Sequence, residues 1–315
     1  MSFKICGTGI AIPPKVITNE DLSKILDTSD DWIRTHTGVI ERHILNGSLL
    51  DLAVEACEKA IEDSGVIEID LLICSTLQGE YITPSMSPLI AKRLNLTCRH
   101  MFDINMACSG FVYALDMADA YILSGKARNV LIVCAEALSR ATDWTDRSTC
   151  ILFGDGAAAV VLRPGEGCVD IQLSSDGNVD LLYMGHVNDN CPFTEKNPVD
   201  TVIYMEGKEV YKFAVKAICN DINKILADNN LSYSDIKYFL IHQANKRIID
   251  SAIAKFKQPE EKFPCNIDRY GNTSSATLPL LIDELKKADK LQDGDLLVLS
   301  AFGAGLTTGV CLLRW

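Results

Sequence analysis

The sequence predicts an α/β fold made of two similar halves, and three observations carry that prediction. Short, near-continuous apolar runs alternate with longer amphipathic stretches, the pattern of strands buried between helix layers. One succession of strand, glycine-rich turn and strand occurs twice. The 315 residues also exceed what one small core needs.

After Met1-Ser2 comes the run Phe3-Lys4-Ile5-Cys6-Gly7-Thr8-Gly9-Ile10-Ala11-Ile12, ended by Pro13-Pro14. This reads as a first strand and a turn; the apolar part is too short and too glycine-interrupted for a secretory signal. Gly7-Thr8-Gly9 lacks the third glycine of a dinucleotide fingerprint and runs into prolines, not a helix. Residues 50–64 and 211–227 have helical amphipathic spacing. Strands are expected at 71–75, 130–135, 157–162, 238–242, 296–300 and 309–313.

The duplication lies in the order of these pieces. Residues 129–136 (NVLIVCAE) precede Gly154-Asp155-Gly156 and an apolar strand; residues 295–301 (DLLVLSA) precede Gly303-Ala304-Gly305 and another. The same register sets Cys108 against Asn272. Each is expected just after a short strand and just before a helix, as in a βαβ crossover. Pro164-Gly165-Glu166-Gly167 marks the boundary, giving halves of 1–165 and 166–315.

Composition narrows the class of function. Forty-two acidic residues against thirty basic ones give a net charge of −12, which argues against nucleic acid or an anionic membrane as partner. An acidic protein would need a local basic patch. No run approaches 18 apolar residues, so no membrane span is expected. The twelve cysteines are scattered, without a C-x-x-C pair, and several sit inside apolar runs. They read as reduced thiols of a cytoplasmic protein. Five histidines without ligand spacing argue against zinc.

Three motifs carry chemistry: Ala107-Cys108-Ser109-Gly110, His242-Gln243-Ala244-Asn245 and Gly271-Asn272-Thr273-Ser274. They supply a thiol, an imidazole and a carboxamide. Cys108 precedes a helix with small residues at its start, where a thiol meets unpaired N–H groups that favour thiolate. His242 ends a buried strand, at the edge where α/β folds place ligands, and a polar-to-basic exit follows it. Thr273 or Ser274 can cap the next helix, leaving the Asn272 amide free to polarise a carbonyl. The backbone of Phe302-Gly303-Ala304-Gly305 can aim an N–H at an oxyanion. A Cys/His/Asn set without an acidic member suits acyl-thioester chemistry.

With these motifs in place, the chain resembles the β-ketoacyl-acyl-carrier-protein synthase III family, condensing enzymes of the thiolase-like superfamily. The likeness runs the full length. It includes Asp31-Trp32-Ile33 with Thr37-Gly38, Glu41-Arg42-His43, the Cys108, His242 and Asn272 motifs, Asp143 to Thr149, Phe153-Gly154-Asp155-Gly156-Ala157, and residues 206–214, 266–275 and 302–315. The resemblance implies a thiolase-like five-layer α/β/α/β/α fold and a homodimer. It implies a catalytic set of Cys108, His242 and Asn272, with oxyanion donors at the backbone N–H groups of Cys108 and Ala304. It places acyl-carrier-protein docking at Gln243, Ala244, Asn245, Lys246 and Arg247, and coenzyme A binding at Trp32, His36 and Arg147.

The reaction it implies joins a short acyl-CoA primer to malonyl-acyl-carrier protein and starts fatty-acid synthesis. No metal or redox cofactor is implied. Two positions depart from the family pattern. His36 stands where relatives carry an Arg that grips coenzyme A phosphate, and an imidazole lacks the guanidinium fork. Thr83 stands where some relatives carry a bulky apolar residue that reaches the partner's acyl pocket. Other readings remain open at this level: a condensing enzyme of specialised metabolism, an acyltransferase to an oxygen or nitrogen acceptor, and a non-catalytic partner subunit. Relatives of the last two kinds often lack the Asn or the Cys, and both are present here.

Overall fold

The structure, a computed structural model, describes residues 2–185, 193 and 200–315. Its first half contains β1 (Ser2–Ala11), β2 (Lys15–Thr18), α1 (Asn19–Ser23), α2 (Asp30–Thr37), β3 (Glu41–Ile44), α3 (Leu49–Ser64) and β4 (Leu71–Ser75). It continues through α4 (Met86–Arg93), β5 (His100–Ile104), α5 (Gly110–Leu123), β6 (Val130–Ala137), α6 (Arg147–Cys150) and β7 (Asp155–Gly165). The second half begins with β8 (Cys168–Asn178), β9 (Leu182–Met184), β10 (Ile203–Met205), α7 (Gly207–Asp228) and β11 (Tyr238–Ile241). It ends with α8 (Lys246–Phe256), α9 (Ile267–Tyr270), α10 (Thr277–Lys287), β12 (Leu296–Gly303) and β13 (Gly305–Arg314).

Two sheets repeat one plan. The first has the order β1-β7-β6-β4-β5, and the second, read from its outer strand, β8-β13-β12-β11. In both, the strand after the long first helix pairs parallel with its inner neighbour (β4 with β6, β11 with β12), and the remaining ladders of the shared plan are antiparallel. The first sheet has one strand more. β5 pairs parallel with β4 and forms the sheet's edge.

Alternation along the strands decides the layering, because successive side chains point to opposite faces. In β4, Leu71 and Ile73 face a core that also holds Phe111 and Leu115 of α5, Leu278 and Leu281 of α10, and Leu297 and Leu299 of β12. Leu72 and Cys74 face the other way, against Leu52, Ala56 and Ala60 of α3. Across the second sheet, Val298 and Leu312 pack on Ile218 and Ile222 of α7 and Ile249 of α8. The result is five layers, with α5 and α10 in the middle, one from each half. Buried polar contacts also join the halves, Thr8 Oγ1 donating to Asp283 Oδ1 at 2.8 Å and Ser275 Oγ to Glu136 Oε1 at 2.6 Å.

Local signals set the ends of the elements. Ser48 accepts from the Asp51 N–H and Gly65 ends α3 in the left-handed region. The strand expected at 309–313 extends to Gly305–Arg314, because β12 and β8 pair with it on both sides beyond its apolar run.

One expectation fails. No strand precedes Asn272; α9 does, and Asn272 makes only an isolated parallel bridge to Phe153. The backbone groups that would have paired with β11 turn to the first half instead. Asn272 N donates to Leu152 O at 2.8 Å, and Gly154 N to Asn272 O at 3.1 Å. Among the described residues, no helix is long and apolar enough to cross a membrane. Eleven cysteines are free thiols; Cys191 lies outside the described residues.

Candidate active site

Cys108 sits in a short 3-10 turn between β5 and α5. Ala107 before it is left-handed at φ 47°, a strained conformation for a residue with a Cβ and one that clusters at functional turns. The turn is pressed from two sides. A Cβ on Gly110 would lie 2.0 Å from Ser75 Oγ, and a Cβ on Gly303 would lie 2.9 Å from the Cys108 nitrogen. Glycine at both places lets β4 and the β12–β13 turn close on the thiol's backbone.

The same approach leaves two donors unused. Among the described residues, neither the Cys108 nor the Ala304 N–H donates to another backbone or side-chain group, whereas the Ser109 N–H is taken by Met106 O. Thr307 Oγ1 donates to Ala304 O at 3.0 Å and contacts Ser109 Oγ at 2.8 Å, so both strands of the turn are pinned to the Cys108 segment.

The sequence leads one to expect a thiolate at Cys108, and the structure reverses that balance. Burial, aided by the nearby Glu136 carboxyl, pushes the thiol up to about 12, past the stabilising effect of the neighbouring Ser274 hydroxyl and of its own backbone N–H. The resting thiol is neutral, so any reaction through its sulfur must also release its proton.

His242 follows β11 immediately, and its N–H donates to Ser300 O at 2.8 Å. Burial pushes its imidazole down to about 3, so the ring is neutral at physiological pH. Nδ1 lies 2.7 Å from Thr277 Oγ1, the edge of Phe302 packs on the ring, and buried Nε2 has no partner among the described residues.

The amide of Asn272 is not free, as the sequence reading had it. Oδ1 accepts the Ser274 N–H at 2.8 Å. The correction strengthens the site: with the oxygen held, the NH₂ end is the one left to donate. Cys108, His242, Asn272 and Ala304 all line one cavity of about 460 Å³.

The wall of that cavity was not visible in the sequence. Leu182 and Met184 of β9 and Ile203 and Met205 of β10 form an apolar ribbon across from Leu77, Leu138 and Phe153. Glu136, also missed, is buried and forms no ion pair among the described residues. Its oxygens accept the Leu77 N–H at 3.0 Å and the Ser275 hydroxyl at 2.6 Å, tying the cavity wall to the turn that carries Asn272. Burial pushes Glu136 up to about 7 against these hydrogen bonds. Its signal was one acid inside an otherwise apolar strand.

The residues expected to bind coenzyme A and the carrier protein assemble unevenly. Trp32 and His36 stack with centroids 4.2 Å apart, and the Arg147 guanidinium lies 4.6 Å from the centre of the indole. His36 Nδ1–H donates to Trp32 O at 2.7 Å, so one nitrogen is occupied within its own helix and only Nε2 remains for a ligand. Of the five expected docking residues, Gln243 is buried, donating to Ile241 O and accepting from Asn266 N. Asn245 caps α8 and donates to His36 O at 3.1 Å, and Ala244 lines the cavity. Lys246 is paired with Asp250 and Glu260. Only Arg247 of the five is exposed; it lines the cavity, as Lys208 does, and lies over the Tyr211 ring. Helix capping and burial use the polar groups that the sequence offered to a partner.

Two family models match this chain: 3-oxoacyl-[acyl-carrier-protein (ACP)] synthase III over residues 102–177, and the C-terminal part of the same enzyme over 226–315. A β-ketoacyl-[acyl-carrier-protein] synthase III of Xanthomonas campestris is 45% identical over 99% of this chain and 98% of its own. That of Clostridium acetobutylicum is 44% identical over 100% and 99%. The chain belongs to the 3-oxoacyl-[acyl-carrier-protein] synthase III family. Membership makes it a condensing enzyme, an acyltransferase of thiolase-like fold. The crystal structure of the Aquifex aeolicus synthase III superposes with a TM-score of 0.92 at 41% identity, over 99% of this chain and 100% of that one.

Glu136 generates a stability prediction. Its folded pKa, about 7, lies above its ordinary 4.5, so the native protein holds the proton longer than the unfolded chain. Stability therefore falls as pH rises from about 4.5 to 7, by about 3 kcal/mol in total. Glu136→Gln is expected to remove that slope. Urea unfolding of both proteins at pH 5 and pH 8 checks this, and equal pH dependence would contradict it.

Proposed function

We propose that the protein catalyses a decarboxylative Claisen condensation between an acyl-CoA primer and malonyl-acyl-carrier protein, through an acyl-Cys108 intermediate. The observation that carries this reading is the convergence on one cavity of a half-buried thiol, a neutral imidazole, a carboxamide whose NH₂ end is unengaged among the described residues, and two backbone N–H groups likewise unused. Cys108 attacks the primer thioester, and coenzyme A leaves with the thiol's proton. The Cys108 and Ala304 N–H groups hold the oxyanion.

Malonyl thioester then loses carbon dioxide to give an enolate, whose oxygen accepts hydrogen bonds from His242 and Asn272. Its carbon attacks the acyl-Cys108 carbonyl, the carbon–sulfur bond breaks and the 3-oxoacyl product departs. One proton is consumed, replacing the charge lost with the carboxylate. Decarboxylation generates the nucleophile, so this scheme needs no metal, no redox cofactor and no carboxylate base.

Trp32 and Arg147 offer stacking surfaces for the adenine of coenzyme A, with His36 Nε2 beside them. The apolar ribbon of β9 and β10 suits the acyl chain. Arg247 and Lys208 suit an acidic carrier protein, and Lys212 is tied to Glu209 at 2.7 Å. Among the binding residues expected from the sequence, Arg247 therefore carries the docking role. The free thiols suit a reducing cytoplasm. The homodimer is supported by β5, an unpaired sheet edge, with exposed Tyr81 and Ile82 in the segment before α4.

Three outcomes are expected. Cys108→Ala abolishes self-acylation but leaves decarboxylation of malonyl thioester, whereas Asn272→Ala still acylates and decarboxylates about 10²–10³-fold more slowly. Intact-protein mass and carbon dioxide release measure the two halves, and full decarboxylation by Asn272→Ala would sink its role. Arg247→Glu raises the KM for malonyl-acyl-carrier protein without changing acylation by acyl-CoA, unless docking lies elsewhere. Sedimentation equilibrium returns twice the mass of one chain; a monomer at micromolar concentration would rule out the β5 edge as a stable interface.

A further inference from the structure

The imidazole of His242 has two nitrogens in different surroundings, and what fixes them is a hydroxyl outside the catalytic set. Thr277 opens α10 and is buried. Its Oγ1 lies 2.7 Å from His242 Nδ1 and 3.1 Å from Ser274 O. A hydroxyl has one proton to give. A carbonyl oxygen only accepts, so the arrangement that satisfies both contacts has Oγ1–H donating to Ser274 O and Nδ1–H donating to Oγ1. The reverse arrangement loses the bond to Ser274 and puts a proton on Nε2, which is buried and has no acceptor among the described residues. An unpaired buried N–H is the more expensive state.

We infer that Thr277 is a positioning residue that holds His242 in the Nδ1–H tautomer, so that a bare Nε2 faces the cavity and takes the Cys108 proton during acylation. The inference rests on the acyl-Cys108 reading above. The neutral thiol and the neutral imidazole make the assignment consequential. Neither group supplies an ion pair at rest, so the S–H proton passes to Nε2 as the sulfur–carbon bond forms.

When the thioester carbon–sulfur bond breaks, Nε2 returns that proton to the coenzyme A sulfur, and His242 is neutral again. The condensation half-reaction differs. Nε2 takes a proton from water as the malonyl carboxylate enters. It donates that proton's hydrogen bond to the enolate oxygen, then passes the proton to the Cys108 sulfur as the carbon–sulfur bond to the acyl group breaks. The proton consumed matches the carboxylate lost as carbon dioxide. His242 thus accepts in one half-reaction and donates in the other, from the same nitrogen.

The experiment has a substrate-free arm and a kinetic arm. Histidine-¹⁵N-labelled wild type, with His242→Gln to assign its signals, is expected to show an unprotonated Nε2 and a protonated Nδ1 at neutral pH. A protonated Nε2 in the wild type overturns the inference whatever the enzyme's activity. Thr277→Val removes the hydroxyl at nearly constant shape, and Thr277→Ser keeps it. The valine variant is expected to lose at least tenfold in the rate constant of self-acylation by acetyl-CoA, with the half-saturating acetyl-CoA concentration unchanged and a mixed His242 tautomer. The serine variant is expected to stay within about threefold of wild type. Wild-type rate and tautomer in a folded Thr277→Val also overturn it. If the valine variant does not fold, the wild-type tautomer and the serine variant still decide. Absence of self-acylation in a wild type with the expected tautomer defeats the acyl-enzyme reading, and with it the role given to Nε2, but not the Thr277 contact.

Discussion

The burial of α5 and α10 between two sheets is the constraint on which the rest of the molecule depends. Both helices are apolar toward both neighbours, because each must pack on strands of its own half and of the other. Their starts are therefore fixed at the centre of the molecule. Cys108 lies two residues before α5, and Asn272 lies five residues before α10. The site is the place where the two middle helices begin. A displacement of either sheet would separate the thiol from the amide.

That placement explains the electrostatics. A site at the centre of five layers is poorly solvated, and desolvation sets the ionisation states of its titratable groups. It keeps the thiol protonated, the imidazole neutral and Glu136 close to its midpoint at neutral pH. Such a site cannot rest as an ion pair. It suits chemistry in which charge appears only in transit and is met by fixed dipoles: two backbone N–H groups, one amide and one ring nitrogen.

Much of this was legible in the sequence, for identifiable reasons. Strands buried on both faces are written as apolar runs, so β4, β6 and β12 announce themselves, and the repeated order of runs and glycines reveals the duplication. Cys108, His242 and Asn272, which line one cavity, stand out in the sequence because each interrupts such a pattern. Less legible was whatever depends on which polar group turns to which neighbour. Nothing local says that Gln243 turns inward to Asn266, that Asn245 is used up as a cap, or that Asn272 pairs with Leu152 rather than with β11. Thr277 and Glu136 act through contacts across 35 and 139 residues of chain, so periodicity could not expose them. The thiolate expectation failed because helix-end stabilisation is a local property and desolvation is a global one.

The shared middle layer also has a consequence for birth on the ribosome. The first sheet, α3 and α5 are complete once residue 165 has emerged, yet the face of α5 that belongs against β12 and β13 has nothing to cover it. Those strands are the last to be made. At roughly 5–20 residues per second, the wait is on the order of ten to thirty seconds. Throughout it, the nascent chain carries an oily helix face beside an open strand edge.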